Sequence, residues 1–72
     1  MKYFLVKVTV TYDGLEFLNR FTWERGITPT TEETQKEAEN FFTHADMEER
    51  IEVGGIEEIL KEDYNVLRRF GI

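Results

Sequence analysis

Residues 2–24 read KYFLVKVTVTYDGLEFLNRFTWE and predict a β-hairpin that turns at Asp13 and Gly14. Side chains alternate between the two faces of a strand, so a slip of one residue would exchange core and solvent positions. Before the turn the even positions are apolar and after it mostly the odd ones: Phe4, Val6, Val8, Val10, Tyr12, Leu15, Phe17, Phe21 and Trp23. A two-residue turn brings both sets to one face.

The type of turn sets the register of this hairpin. A type I′ turn needs positive φ at both central residues, which an Asp-Gly pair can adopt. The resulting pairs are Tyr12 with Leu15, Val10 with Phe17, Val6 with Phe21, and Phe4 with Trp23. A three-residue loop would set valines beside Glu16 and Arg20, and we reject it. Asn19 falls opposite Val8 on the apolar face and predicts a bulge there.

A helix is predicted to follow the hairpin. Thr30 and Glu33 have the spacing of a capping box, and Thr28 capping onto Pro29 at the first helical position is an equal alternative. Helical spacing then relates Thr34, Ala38, Phe41, Phe42 and Ala45. The stripe predicts an amphipathic helix that lies across the sheet and ends near residues 44–46.

The chain after Met47 has two interpretations. Residues 50–53 alternate like a strand, and Gly54-Gly55 interrupts them. Beyond the glycines, residues 56–60 fit either a helical stripe or a strand that continues past a glycine bulge. A four-residue strand would leave much of the hairpin unpaired, so we favour a bulged strand over about 50–60. A second helix is predicted from Glu62 to Phe70, with Gly71 ending it.

Length and composition complete the expected architecture. Seventy-two residues predict one domain, residues 1–72, whose core uses nearly every large apolar side chain. The expected class is α+β: a small two-layer domain in which a hairpin and a third strand pack against an amphipathic helix, in the order ββαβα. The absence of cysteine fits a cytoplasmic location. The alternation that begins at Lys7 argues against a signal peptide or a membrane span.

Charge is distributed unevenly along the chain. The net charge is −6, but residues 32–63 contain twelve carboxylates and three cations, a net −9. A solvated surface that keeps the protein soluble is one interpretation, and a docking surface for a basic protein is the other. The candidate contact residues are Glu32, Glu33, Glu37, Glu57 and Glu58. The same excess of acid argues against nucleic acid as a direct ligand.

Two cations are expected on the outer face of the hairpin, where the register sets Lys7 opposite Arg20. Like charges directly across a ladder are mildly unfavourable. Tyr3, Leu5 and Leu18 would flank them. This face is interpreted as an ordinary exposed surface, as one partly covered by the C-terminal helix, or as a contact patch for a partner or a second copy.

The sequence contains few candidate residues for enzyme catalysis. With one histidine, no cysteine and no serine, the chain cannot build a Ser-His-Asp or Cys-His arrangement. His44, Asp46, Glu48 and Glu49 lack the spacing of a known metal-binding loop. We interpret the aromatic residues as core, not as a ligand cage: Phe17, Phe21, Trp23, Phe41 and Phe42. We therefore expect no enzyme, no cofactor and no metal.

In its small size, acidity, lack of cysteine and element order, the chain resembles small accessory proteins of phages and mobile elements, including anti-CRISPR and other anti-defence inhibitors. The resemblance implies binding to a host nucleic-acid-handling complex through the acidic helix face or the outer sheet. The predicted function is a non-enzymatic acidic protein-binding module that inhibits by docking on a basic site. The alternative is an assembly subunit, such as a homodimer, that self-associates through a sheet edge or the outer sheet face.

Overall fold

The structure is a computed structural model that describes residues 1–42 and 49–72. The described elements are β1 Lys2–Tyr12, β2 Leu15–Arg25, α1 Thr31–Phe42, β3 Glu49–Ile59 and α2 Lys61–Arg69. The sheet has the order β2-β1-β3, and both neighbours of β1 are antiparallel to it. The α+β class and the order ββαβα are confirmed. Neither described helix has the length and apolar character needed to cross a membrane.

The hairpin has the predicted turn and register. Asp13 and Gly14 have φ of 50° and 77°, and the ladder runs unbroken from Lys2↔Arg25 to Tyr12↔Leu15. The bulge predicted at Asn19 is wrong, because Asn19 pairs with Val8 without a shift of register. Its side chain stays exposed on the outermost strand, where its Oδ1 accepts a hydrogen bond from the next backbone amide at 2.8 Å. Because Asn19 lies on an edge strand, its polar side chain reaches solvent and a backbone donor without a bulge.

The third strand is continuous, which rejects the helical interpretation of residues 56–60. The register with β1 shifts once: Val53 pairs with Val8 and Gly55 pairs with Lys7, so Gly54 is the extra residue of the predicted glycine bulge. A strand of this length has partners along almost the whole of β1. It ends at Ile59, one residue earlier than predicted, and α2 begins at Lys61.

The main core lies between α1 and one face of the sheet. Its buried cluster consists of Val6, Val8, Phe21, Ala38 and Ile51, with Val10, Trp23, Phe42 and Val53 packed against it. The expectation that nearly all large apolar residues are core is wrong. Leu15, Phe17 and Phe41 are 61%, 52% and 58% exposed. The turn end of β2 extends beyond the part of the sheet that α1 covers.

Helix α2 packs against the opposite face of the sheet. The rings of Tyr3 and Tyr64 are 4.7 Å apart, and the Thr22 hydroxyl donates to the Ile72 carbonyl at 2.7 Å. Gly71, at φ 79°, closes the helix, and the amide of Ile72 donates to the carbonyl of Leu67 at 3.1 Å. Leu5 is 9% exposed beneath α2, so Leu5 and Leu18 do not form the exposed outer patch considered for self-association.

Candidate functional site

The N-terminus of α1 is a closed capping box. The Glu33 amide donates to Thr30 Oγ1, and the Thr30 amide donates to Glu33 Oε1, both at 3.1 Å. The alternative cap at Thr28 is wrong, because α1 begins only at Thr31. The predicted helix end at residues 44–46 lies outside the described residues. Thr30 thus gives α1 a fixed start, as the spacing to Glu33 predicted.

Glu33 also accepts a hydrogen bond from Arg25 Nη2 at 2.9 Å. The Thr30 amide, followed by the Arg25 side chain, lowers the pKa of the Glu33 carboxyl, since both favour the charged form. This carboxylate already holds the helix start to the end of β2. It is the predicted contact residue least available to a partner.

The remaining acids of α1 lie on different flanks, and Gln35 shows which flank faces β3. Gln35 Nε2 donates to the Ile51 carbonyl at 2.6 Å, and the Val53 amide donates to Gln35 Oε1 at 3.2 Å. Glu32 precedes Gln35 by three residues and therefore lies on the β3 side. Glu37 lies one turn beyond Glu33, on the flank that faces away from β3.

The two acids of β3 point to opposite faces of the sheet. Glu58 pairs with Phe4 on the α1 side, and Glu57 pairs with Leu5 on the α2 side. The α1 side also has a depression of about 230 Å³, lined by residues that include Thr31 and Ile56. Glu32 is adjacent to Thr31, and Glu58 is the next residue after Ile56 on the same face.

Two of the five predicted acids, Glu32 and Glu58, thus adjoin residues that line one depression, and we name this pair the acidic α1–β3 surface. Within residues 1–42 and 49–72, no ion pair involves either residue, and the same holds for Glu37 and Glu57. Their charge is not neutralised by a cation of the described chain.

The predicted cationic pair is present on the other face. Lys7 and Arg20 lie directly opposite each other, and both are exposed. With Thr9, Leu18 and Gly54 they line a concave region of about 490 Å³ on the part of the sheet beyond α2. Neither cation forms an ion pair with a described residue. The repulsion across this ladder position is therefore not offset within the described chain.

Two features of the surface were not anticipated from the sequence. One is the exposure of Leu15 and Phe17 on the α1 face of β2, at 61% and 52%; the predicted outer-face residue Leu18 is 89% exposed. The other is the covering of the β3 edge by Gln35, for which no sequence signal exists, since it depends on where the helix crosses the sheet.

The described residues contain no group of three or more histidine or acidic side chains placed to hold a metal ion. The candidate residues His44, Asp46 and Glu48 lie outside the described residues. No protein-family model, no curated protein and no solved structure matches this chain.

Proposed function

We propose that this protein is a non-enzymatic binding module that docks on a basic site of another protein through the acidic α1–β3 surface. The observation that carries the proposal is that Glu32 and Glu58 adjoin residues lining one depression and have no cationic partner in the described chain. They belong to a segment whose net charge is −9. Exposed carboxylates of one sign attract a basic surface and speed the encounter with it.

The class of partner follows from the charge. A protein that handles nucleic acid carries clustered Lys and Arg side chains for phosphate contacts, and an array of carboxylates is complementary to such a cluster. Occupation of that cluster would exclude the nucleic acid, which makes inhibition the expected consequence. This is also what the resemblance to anti-defence inhibitors implies.

The test is affinity capture of the tagged protein from a lysate of its native host, with retained proteins identified by mass spectrometry. Washes at about 0.05 M and about 0.5 M salt separate charge-mediated binding from other binding, because the screening length shrinks as salt rises. We expect a basic nucleic-acid-handling protein to be retained at low salt and lost at high salt. Added nucleic acid should compete with the retention.

The charge-reversed variant E32K/E58K should lose this partner while keeping the far-UV circular dichroism spectrum of the wild type. Glu33 is left unchanged because its carboxylate stabilises the start of α1. The control E24K/E62K makes the same change in net charge at two exposed positions away from the surface. If both variants retain the partner equally well, the acidic α1–β3 surface is not the docking site.

A further inference from the structure

Strand β2 is an edge strand, and every second residue of it points its backbone N–H and C=O groups away from β1. In a hairpin closed by a two-residue turn, the flanking residues form a hydrogen-bonded pair, and the two kinds of pair alternate from there. The flanking pair is Tyr12 with Leu15. The outward N–H and C=O groups are therefore those of Glu16, Leu18 and Arg20. The hydrogen bond of the Arg20 amide is consistent with this alternation, since the amide donates to Asn19 Oδ1 and not to β1.

The same half of β2 carries apolar side chains on both faces. Leu18 is on the outer face, and Leu15 and Phe17 are on the α1 face, all exposed. Phe41 is 58% exposed although its ring stacks on Phe21 at 5.0 Å. An open edge strand with exposed apolar side chains on both faces is a template for pairing with another strand.

We propose that two copies of this chain pair antiparallel through β2, about a two-fold axis at Leu18, and form a six-stranded sheet. Leu18 then faces Leu18 of the partner subunit. Glu16 faces Arg20 of the partner subunit, and symmetry repeats this pair of opposite charges. On the α1 face, Leu15 packs beside Phe21 of the partner subunit, next to the exposed ring of Phe41. This proposal is independent of the acidic α1–β3 surface.

Charge complementarity selects this axis. An axis one residue away, at Phe17 or Asn19, pairs no acid of β2 with a base of β2. An axis at Arg20 sets Arg20 against itself and Glu16 against Glu24, which places like charges directly across the ladder. The Leu18 axis combines complementary charges with coverage of the most exposed apolar residue of β2.

One other axis, at Thr22, also pairs opposite charges, since it sets Arg20 against Glu24. It leaves Leu18 beyond the strand of the partner subunit, opposite Gly26. Thr22 is moreover buried, and its hydroxyl is bonded to the carbonyl of Ile72. The apolar half of β2 would stay exposed in that arrangement, so we reject it.

The Leu18 axis also relieves the repulsion between Lys7 and Arg20. Residues directly paired across successive strands lie in one row on one face of a sheet. The row across the new sheet runs from Lys7 to Arg20 and then to Glu16 of the partner subunit. A carboxylate is thereby added beside two cations that no described acid neutralises.

The strand that pairs with β2 is β2 of a second copy, because β2 contains both the acid, Glu16, and the base, Arg20, of the complementary pair. The assembly closes as a dimer, because Gln35 occupies the outward groups of Ile51 and Val53 on the other edge. A sheet with two open edges would instead extend into a fibre.

The test is sedimentation equilibrium of the full chain at low salt, from about 10 µM to about 1 mM, a range that detects even weak dimers. The wild type should form a dimer. E16R and R20E should each raise its Kd at least about tenfold, since each replaces two opposite-charge pairs by two like-charge pairs. The charge-swapped variant E16R/R20E should restore the Kd to within about threefold of the wild type.

The control E24R discriminates between the two complementary axes. It leaves the Kd unchanged for an axis at Leu18 and raises it for an axis at Thr22. Circular dichroism of each variant confirms that these exposed substitutions leave the fold intact. A wild type that is monomeric at about 1 mM overturns the proposal. Failure of E16R/R20E to restore the dimer overturns it equally.

Discussion

The two edges of the sheet differ in what occupies their outward backbone groups. On β3, Gln35 of α1 accepts from one amide and donates to one carbonyl, as a neighbouring strand would. On β2, the corresponding contact among the described residues is local, from the Arg20 amide to Asn19. The helix therefore protects one edge and leaves the other open. Since α1 is the described helix on its face of the sheet, the position at which it crosses the sheet decides which edge strand is available to a partner.

The largest expected effect is a difference in stability between substitutions in the two halves of β2. Phe21 and Phe17 are identical residues on the same face of the same strand, but Phe21 is 1% exposed and Phe17 is 52% exposed. We expect F21A to cost about 3–5 kcal/mol of the free energy of unfolding, because it leaves a cavity in the core. F17A should cost less than about 1 kcal/mol, the range typical of surface positions.

Urea denaturation of the two variants at one concentration of chain measures this contrast. A 72-residue domain has a total stability of about 4–11 kcal/mol, so F21A should remove a large share of it. Equal losses in F21A and F17A would show that the turn end of β2 is packed as firmly as its covered half.

A smaller effect compares the side-chain amides at the two edges. Q35A removes both hydrogen bonds to β3 and leaves partly buried backbone groups unpaired, so we expect a loss of about 1–3 kcal/mol. N19A removes one exposed bond and should cost less than about 1 kcal/mol.

Hydrogen exchange adds a local measurement to that comparison. The Val53 amide, which donates to Gln35, should lose protection in Q35A and keep it in N19A. Unchanged exchange at Val53 in Q35A would mean that the helix side chain does not close the β3 edge.

The smallest effect concerns the charged contact that holds the end of β2 to α1. The lowered pKa of Glu33 means that the folded state binds its proton less readily than the unfolded state. Its stabilisation is complete well above the ordinary glutamate pKa of about 4.3 and is lost as the pH falls through the folded value. E33Q should therefore be less stable than the wild type at pH 7, and the difference should narrow as the pH falls below the ordinary glutamate pKa.

Urea midpoints of the wild type and E33Q across this range test the sign. E52Q on β3 is the control for loss of one exposed negative charge, since Glu52 lies 3.9 Å from Arg50 and both side chains are largely exposed. A difference between the wild type and E33Q that stays constant with pH would contradict a contribution from the Glu33 carboxylate.

Local rules predicted much of the fold. The Asp13-Gly14 turn and the alternation around it gave the correct hairpin register, because both depend on residues adjacent in the chain. The capping box at Thr30 and the glycine bulge in β3 were found for the same reason. Of the five acids predicted as a site, Glu33 proved to be engaged within the fold and Glu57 to face the α2 side. Sequence spacing carries no information about which element a side chain meets.

The sequence by itself determined the element order, the hairpin register and the excess of acid between residues 32 and 63, since these follow from local conformational preference and composition. Only the tertiary structure decided that α1 lies close enough to β3 for Gln35 to bond its edge, and that α2 buries Leu5 while Leu18 stays exposed. The physical reason is that exposure depends on how far each helix reaches across an eleven-residue strand. That distance is set by packing between elements far apart in the chain.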